Sequence, residues 1–519
     1  MKIAREAFEL LGSGVHIPDE GRMRIADWIF EQRVMPHIDA VTKHMTKYEG
    51  TSFMDIQDAS SSLGHVYRRH GRHNNALGWY RRALAAYQKD LGADHPITLA
   101  TVHEMASVFY NQGKYDKALE WYGRVLAGEE GVLGADHQDT LTTVHSMALV
   151  FDQKGQYGKA LEWYGRALAG REKAMGVGHP ETLATVNQMA LVFDKQGQYD
   201  KALEWYGRAL TGKVKVLGVD HPSTLTTVHN MALVFDNQGQ YSKALEWYGR
   251  ALAGSEKALG IEHPDTLTTV NQMALVLHKQ RQYDKALEWY RRVFAGREKA
   301  LGVDHPDTLT TIHNMALVFN FQGHYDKALE WYGRALAGYE KALGVDHPST
   351  LTTVNLMALV FDNQGQYGKA LEWYGRALAG REKVLGADHP STLTTVHNMA
   401  AVFHSQEQYA KALEWYGCAL AGREKALGVD HPDTHTTIHN IAAAFYTQGQ
   451  YRIALEWFGR ALAGQEKSLG VDHPWTQSSI RCLIDLHQRT GQTEQTQSLR
   501  KLLHVPHGPS NQLDTLKGP

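Results

Sequence analysis

The stretch that decides the fold is His221–Glu262, "HPSTLTTVHNMALVFDNQGQYSKALEWYGRALAGSEKALGIE". Pro222 suits a first helical turn, where its missing N–H would have no partner, and Leu225, Val228, Met231, Ala232 and Phe235 follow at helical spacing. "NQGQY" interrupts the pattern, and Gly239 can take the left-handed conformation that ends a helix. A second helix is predicted over Ser242–Leu259, with Ala244, Leu245, Trp247, Tyr248, Ala251, Leu252 and Leu259 as its apolar set and Gly260 as its stop. One helix pair cannot bury Trp247 and Tyr248. Each offers roughly 150–250 Å², on the order of 4–6 kcal/mol at about 25 cal/mol/Å², so the pair needs a neighbour to stack on.

The rest of the chain supplies that neighbour. A histidine recurs every 42 residues, at His95, His137, His179, His221, His263, His305, His347, His389, His431 and His473, and a tryptophan series from Trp79 to Trp457 keeps the same period. Counted from these markers, residues 53–94 form a divergent first repeat, close copies fill 95–472, and a divergent partial repeat runs to 504. Divergent ends suit caps, which face water where inner repeats face a neighbour. The expected fold is all-α: a right-handed superhelical solenoid of antiparallel helix pairs over residues 53–504. Residues 1–52 are expected to form an N-terminal helical segment, and 505–519 a disordered tail.

Composition narrows the function. Of 519 residues 43% are hydrophobic and 21% charged, and the net charge of −2 gives no attraction to nucleic acid or a membrane surface. Cys418 and Cys482 are the only cysteines, so neither a disulfide framework nor a thiolate metal site is expected, which fits a reducing compartment. No stretch approaches 18 uninterrupted apolar residues, and a cytoplasmic location is expected. Lys243, Glu246 and Arg250 give the second helix a solvated outer face, with Glu246 and Arg250 placed for an i,i+4 ion pair.

Val228-x2-Met231-Ala232-x2-Phe235 and Ala244-x3-Tyr248-x2-Ala251 resemble the two helices of the tetratricopeptide repeat. The 42-residue length, with "REKALGVDHP" joining repeats, is similar to the repeats of kinesin light chains, although residues 1–52 lack the sustained heptads of such chains. Near-identical repeats after "RIADWIFEQRVMPHIDAV" also resemble the sensor arrays of fungal STAND-type receptors, which carry an NB-ARC or NACHT ATPase.

In tetratricopeptide arrays the first helices line a concave surface, so the resemblance implies a groove built from Thr226, His229, Leu233, Asp236, Asn237 and their equivalents. Their spacing places them on one helical face apart from the core stripe. The His229 register is always polar: His103, His145, Asn187, His229, Asn271, His313, Asn355, His397 and His439. Such a ladder could hydrogen-bond an extended peptide, or it could only join adjacent repeats. The Asp236 register varies more: Asp152, Asp194, Asp236 and Asp362 alternate with Tyr110, His278, Asn320, His404 and Tyr446. Variation within an otherwise copied unit reads either as ligand selection or as neutral drift on a solvated face. Lys195 and Lys279 are the only basic residues at the next position, few for an acidic peptide.

Three other signals read as structure. The 29 histidines show no zinc-ligand spacing, so no metal is expected. The tryptophans lack the basic interleaving of a nucleic-acid platform and are expected to pack in the core. "GRALTGKV", Gly207–Val214, matches G-x4-G-K but ends in Val where a phosphate loop needs Ser or Thr, and the same Gly-x4-Gly recurs inside the second helix of most repeats. It reads as a notch where helices pass closely, with Lys213 as surface variation. No unique constellation of catalytic groups stands out. The expected function is a non-enzymatic protein–protein interaction scaffold that holds a peptide or protein segment, without cofactor, small-molecule substrate, nucleic acid or membrane. The alternatives are the ligand-sensing array of a STAND-type receptor and a kinesin light chain-like cargo adaptor.

Overall fold

The computed structural model describes Asp39 and residues 57–69, 71–471 and 473–503. The expectations for 1–52 and 505–519 lie outside the described residues, Asp39 apart. Among the described residues all regular structure is helical, in 22 helices running from Gln57–Arg69 to Thr493–Arg500. They belong to two compact bodies divided between Val276 and Leu277.

His221–Glu262 shows how each repeat is made. Its first helix spans Pro222–Asn237 and its second Tyr241–Ala258, one residue earlier at each end than predicted. Gly239 at φ +72° turns the chain between them, and the Gln240 N–H closes on the Phe235 carbonyl at 2.8 Å. Arg281 and Glu407 hold this left-handed position without glycine, at φ 60° and 61°.

The recurring histidine has a local purpose that the sequence did not disclose. His221 is extended (φ −67°, ψ 134°), and its Nδ1 accepts the Ser223 N–H at 3.1 Å, satisfying an orphan donor of the first helical turn. The same cap is made by His95, His137, His179, His263, His305, His347, His389, His431 and His473.

Each body has its own core. In the first, Val186, Met189 and Val192 pack with Ala160 and Tyr164 of the preceding repeat. In the second, Met399 and Val402 pack in the same way with Ala370 and Tyr374. The tyrosines Tyr164, Tyr206, Tyr248, Tyr332 and Tyr374 are wholly buried. Trp247 and Phe235, expected in the core stripe, are instead half-buried at its edge. The two rings lie 6.0 Å apart, and Arg250 covers the indole at 4.3 Å from its centroid.

The Gly-x4-Gly motif divides in two. A Cβ on Gly254 would stand 2.3 Å from Leu225 Cδ2, and on Gly212 2.4 Å from Leu183 Cδ2, so the second glycine is a packing notch. The first glycine is not: a Cβ on Gly207 or Gly249 meets nothing within 4 Å, and nothing in the structure explains that residue. The outer-face arginines also differ from expectation. Arg166, Arg208, Arg376 and Arg460 pair with Glu130, Glu172, Glu340 and Glu424 of the preceding repeat, because repeats stack closely enough to bring those carboxylates beside them.

Candidate functional site

Successive first helices lie side by side, and the polar residues singled out on their faces divide by depth. Thr226 and Asn237 are exposed, His229 and Leu233 half-buried, and Asp236 buried. The histidine and asparagine register turns toward the next repeat. Asn187 Oδ1 accepts from Thr227 Oγ1 at 2.9 Å, and Asn355 Oδ1 from Thr395 Oγ1 at 3.1 Å. The rings meet the equivalent hydroxyl with one nitrogen: His229 Nδ1 lies 3.1 Å from Thr269 Oγ1, His313 Nδ1 3.1 Å from Thr353 Oγ1, and His439 Nδ1 2.8 Å from Ser479 Oγ. His145 and His397 reach Thr185 and Thr437 at 3.4 and 3.3 Å, while His103 turns its other nitrogen to Ser146 at 3.3 Å. Asn271 is half-buried. These bonds are those of the second reading of the ladder, in which it joins adjacent repeats.

Each of these rings also meets the buried aromatic ring of its own repeat, as His229 meets Tyr248 edge-on at 5.0 Å. Burial lowers the histidine pKa values, to about 4 for His229, His313 and His439 and about 3 for His145, where Arg171 adds to the effect. They are neutral hydrogen-bonding groups at neutral pH.

The Asp236 register is similarly engaged. Asp152, Asp194, Asp236 and Asp362 are buried; Lys195 Nζ donates to Asp152 at 2.7 Å and Asn237 Nδ2 to Asp194 at 3.1 Å. Between these seams lie less deeply buried residues, of which Leu149 and Leu191 pack in part against the core. Leu149, Leu191, Leu233 and Leu275 form a half-buried aliphatic row in the first body, beside the polar Ser146, Gln188, Asn230 and Gln272.

Sequence reading missed a buried polar register on the second helix, immediately after the notch glycine. Arg171 Nη1 donates to the Glu181 carbonyl at 3.1 Å and to Thr185 Oγ1 at 2.8 Å, and Nη2 reaches Thr142 Oγ1 at 3.3 Å. Arg297, Arg381 and Arg423 repeat the bonds to the carbonyl and to the threonine. Lys213, read as surface variation, is 3% exposed and donates to the Ser223 carbonyl at 3.2 Å and to Thr227 Oγ1 at 2.9 Å. The notch explains the error, since close approach at Gly212 brings the next side chain under the neighbouring helix. At the same position Tyr339 bonds Thr310 of its own repeat at 2.9 Å, and Gln465 bonds Ser479 of the next at 2.7 Å. The available signal was the spread of residue types at one position: Glu129, Arg171, Lys213, Ser255, Arg297, Tyr339, Arg381, Arg423 and Gln465.

Comparison with known families fits this architecture. The tetratricopeptide repeat family matches over residues 55–127, 98–173, 181–257, 265–341, 325–383, 349–425 and 391–467, more than half of the chain. The chain belongs to the tetratricopeptide repeat family. Tetratricopeptide repeats are typical of protein–protein interaction scaffolds. A Podosopora anserina protein of nearly identical TPR-like repeats, named for kinesin light chain, is 26% identical over 40% of this chain and 98% of its own, at a TM-score of 0.35. BtubC from P. vanneervenii is 20% identical over 45% of this chain and 91% of its own, at 0.38. The apo form of the quorum sensor NprR from B. thuringiensis is 14% identical over 69% of this chain and 97% of its own, at 0.47. No curated protein matches the chain. Among the described residues of this tetratricopeptide array, no helix is long and apolar enough to cross a membrane, and no group of three or more His, Cys, Asp or Glu is placed to hold a metal ion.

Proposed function

We propose that this tetratricopeptide array is a binding scaffold that takes a peptide or protein segment along the face formed by its first helices. The observation that carries the reading is the contrast within that face. Its histidines, asparagines and aspartates are turned into the seams, whereas the half-buried leucine row at Leu149, Leu191, Leu233 and Leu275 stays at the surface beside amides and hydroxyls. Alternating apolar and hydrogen-bonding groups suit an extended or helical segment that buries one side and bonds with the other. The ladder contributes indirectly, by fixing the distance between successive first helices.

The test is selection of peptides from a random display library on the whole chain, followed by anisotropy titration of a selected peptide. With Leu149, Leu191 and Leu233 changed together to Gln, and folding confirmed by circular dichroism, affinity is expected to fall about tenfold or more, since each anchor contributes on the order of 1 kcal/mol. Unchanged affinity in the folded variant would refute the reading.

A further inference from the structure

One seam of the array is built with its charge reversed. Arg171, Lys213, Arg297, Arg381 and Arg423 each send a cation from the second helix to a backbone carbonyl and a threonine hydroxyl of the next first helix. At the corresponding place between the repeats that begin at His95 and His137 stands Glu129, which is 4% exposed. The groups that Arg171 reaches correspond here to the Asp139 carbonyl and Thr143 Oγ1. The third, Thr142, corresponds to Ala100, which has no hydroxyl and leaves space. Neither Glu129 Oε2 nor Thr143 Oγ1, both buried, makes a hydrogen bond of good geometry to any described residue.

These groups open onto a cavity of about 250 Å³, far above the ~10–15 Å³ that one water needs. Ala100, His103, Glu104, Glu129, Asp139 and Thr143 are among its lining residues. Three are acidic. Glu104 is met by Arg68 at 3.3 Å and His65 at 3.6 Å, and burial lowers the pKa values of His65 and His103, favouring their neutral forms. Among the described residues no lysine or arginine pairs with Glu129. Burial pushes its carboxyl up, against a smaller opposing pull from nearby Thr143, and the imidazole of His137 draws it only slightly down. A buried carboxylate and a helix carbonyl, which only accept, and an unsatisfied hydroxyl, which can also accept, surround an open space, and this excess of acceptors favours a planar donor of positive charge.

We propose that this cavity binds the guanidinium group of an arginine side chain carried by the partner segment, in the place that Arg171 fills from within the chain one repeat later. The proposal rests on the reading that a partner segment lies along the first helices, and it makes the end of the array nearest Glu129 selective for a basic residue.

The test is calorimetric titration of the full chain with acetyl-Gly-Arg-Gly-amide, its citrulline counterpart, which keeps the shape and loses the charge, and free L-arginine. The arginine peptide is expected to bind at least about tenfold more tightly than the citrulline peptide, and Glu129→Gln to remove that difference. Glu129→Arg, which supplies the guanidinium from the chain itself, is expected to abolish binding without lowering the melting temperature. Equal affinity for arginine and citrulline peptides, no saturable binding of either, or unchanged affinity in both folded Glu129 variants would overturn the proposal. Free arginine binding as tightly as the peptide would overturn the assignment to a partner segment. The Leu149, Leu191 and Leu233 variant separates the two readings. If it loses the display-selected peptide while the wild-type chain ignores arginine, only the pocket fails; if it keeps that peptide while arginine selectivity is present, only the leucine row fails.

Discussion

Lowering the pH from 7.5 to 5.5 should loosen the seams that carry histidine and spare those that carry asparagine. His229 and His313, half-buried, and His439, buried, have pKa values of about 4, against 6.5 for the unperturbed side chain. Between these values the open state binds a proton that the closed state refuses, so stability is full above pH 6.5 and falls as the pH drops toward 4. At pH 5.5 an opened histidine is protonated in about ten of eleven molecules, while its closed counterpart is almost all neutral. The ratio of the two binding polynomials is about elevenfold, or about 1.4 kcal/mol for each histidine. Asparagine is the control that the chain itself supplies, since Asn187 and Asn355 make the same bond to the next threonine without titrating. Replacing His229, His313 and His439 by Asn should therefore keep the seams and remove this part of the pH dependence. Amide hydrogen exchange, corrected for intrinsic rate, reads each seam separately. Wild-type amides of Pro222–Asn237, Pro306–Phe321 and Pro432–Thr447 should lose about tenfold more protection than the variant's over this pH range. An equal loss in both proteins would show that these rings do not carry the effect.

Two further pairs of substitutions test the packing and the caps by thermal and urea unfolding. Gly254→Ala should destabilise by about 1–3 kcal/mol, because its Cβ would meet Leu225 Cδ2 at 2.3 Å, whereas Gly249→Ala, in open space five residues earlier, should stabilise by up to ~1 kcal/mol through helix propensity. Equal signs for the two would contradict the division of the motif. His221→Ala should cost about 0.5–2 kcal/mol by freeing the Ser223 N–H, and His221→Asp should recover most of it at neutral pH.

The fold was legible because it is written many times. The 42-residue period, Pro222 at a helix start and Gly239 at a turn each specify a local event, and repetition removes ambiguity about where one helix pair ends. The faces were harder. A helical stripe shows which residues share a side of one helix, not which other helix covers that side. Thr224 and Thr227 are wholly buried, although their polarity reads as surface. They tolerate burial by bonding backward, Thr224 to the Gly218 carbonyl at 2.9 Å and Thr227 to that of Ser223 at 3.3 Å. Lys213 was misplaced for the same reason, since its destination depends on the neighbouring repeat. The ladder register was legible as polar, but the bond that it makes 40 residues on is one that the sequence does not display.

The bonds between repeats also have fixed reach. His229 finds its threonine 40 residues on, Asp152 its lysine 43 on, and Glu172 its arginine 36 on. Removing 42 residues anywhere among the close copies would deliver an equivalent partner to nearly every one of these contacts. A whole repeat is thus an exchangeable cassette, and slippage between near-identical coding segments could shorten or lengthen the array without creating a new kind of junction. The exception is the junction of Ala100 with Glu129. Those two residues come from one repeat while Asp139 and Thr143 come from the next, so a cassette moved into or out of that place would keep the fold and rewrite the charge of the surface that it presents.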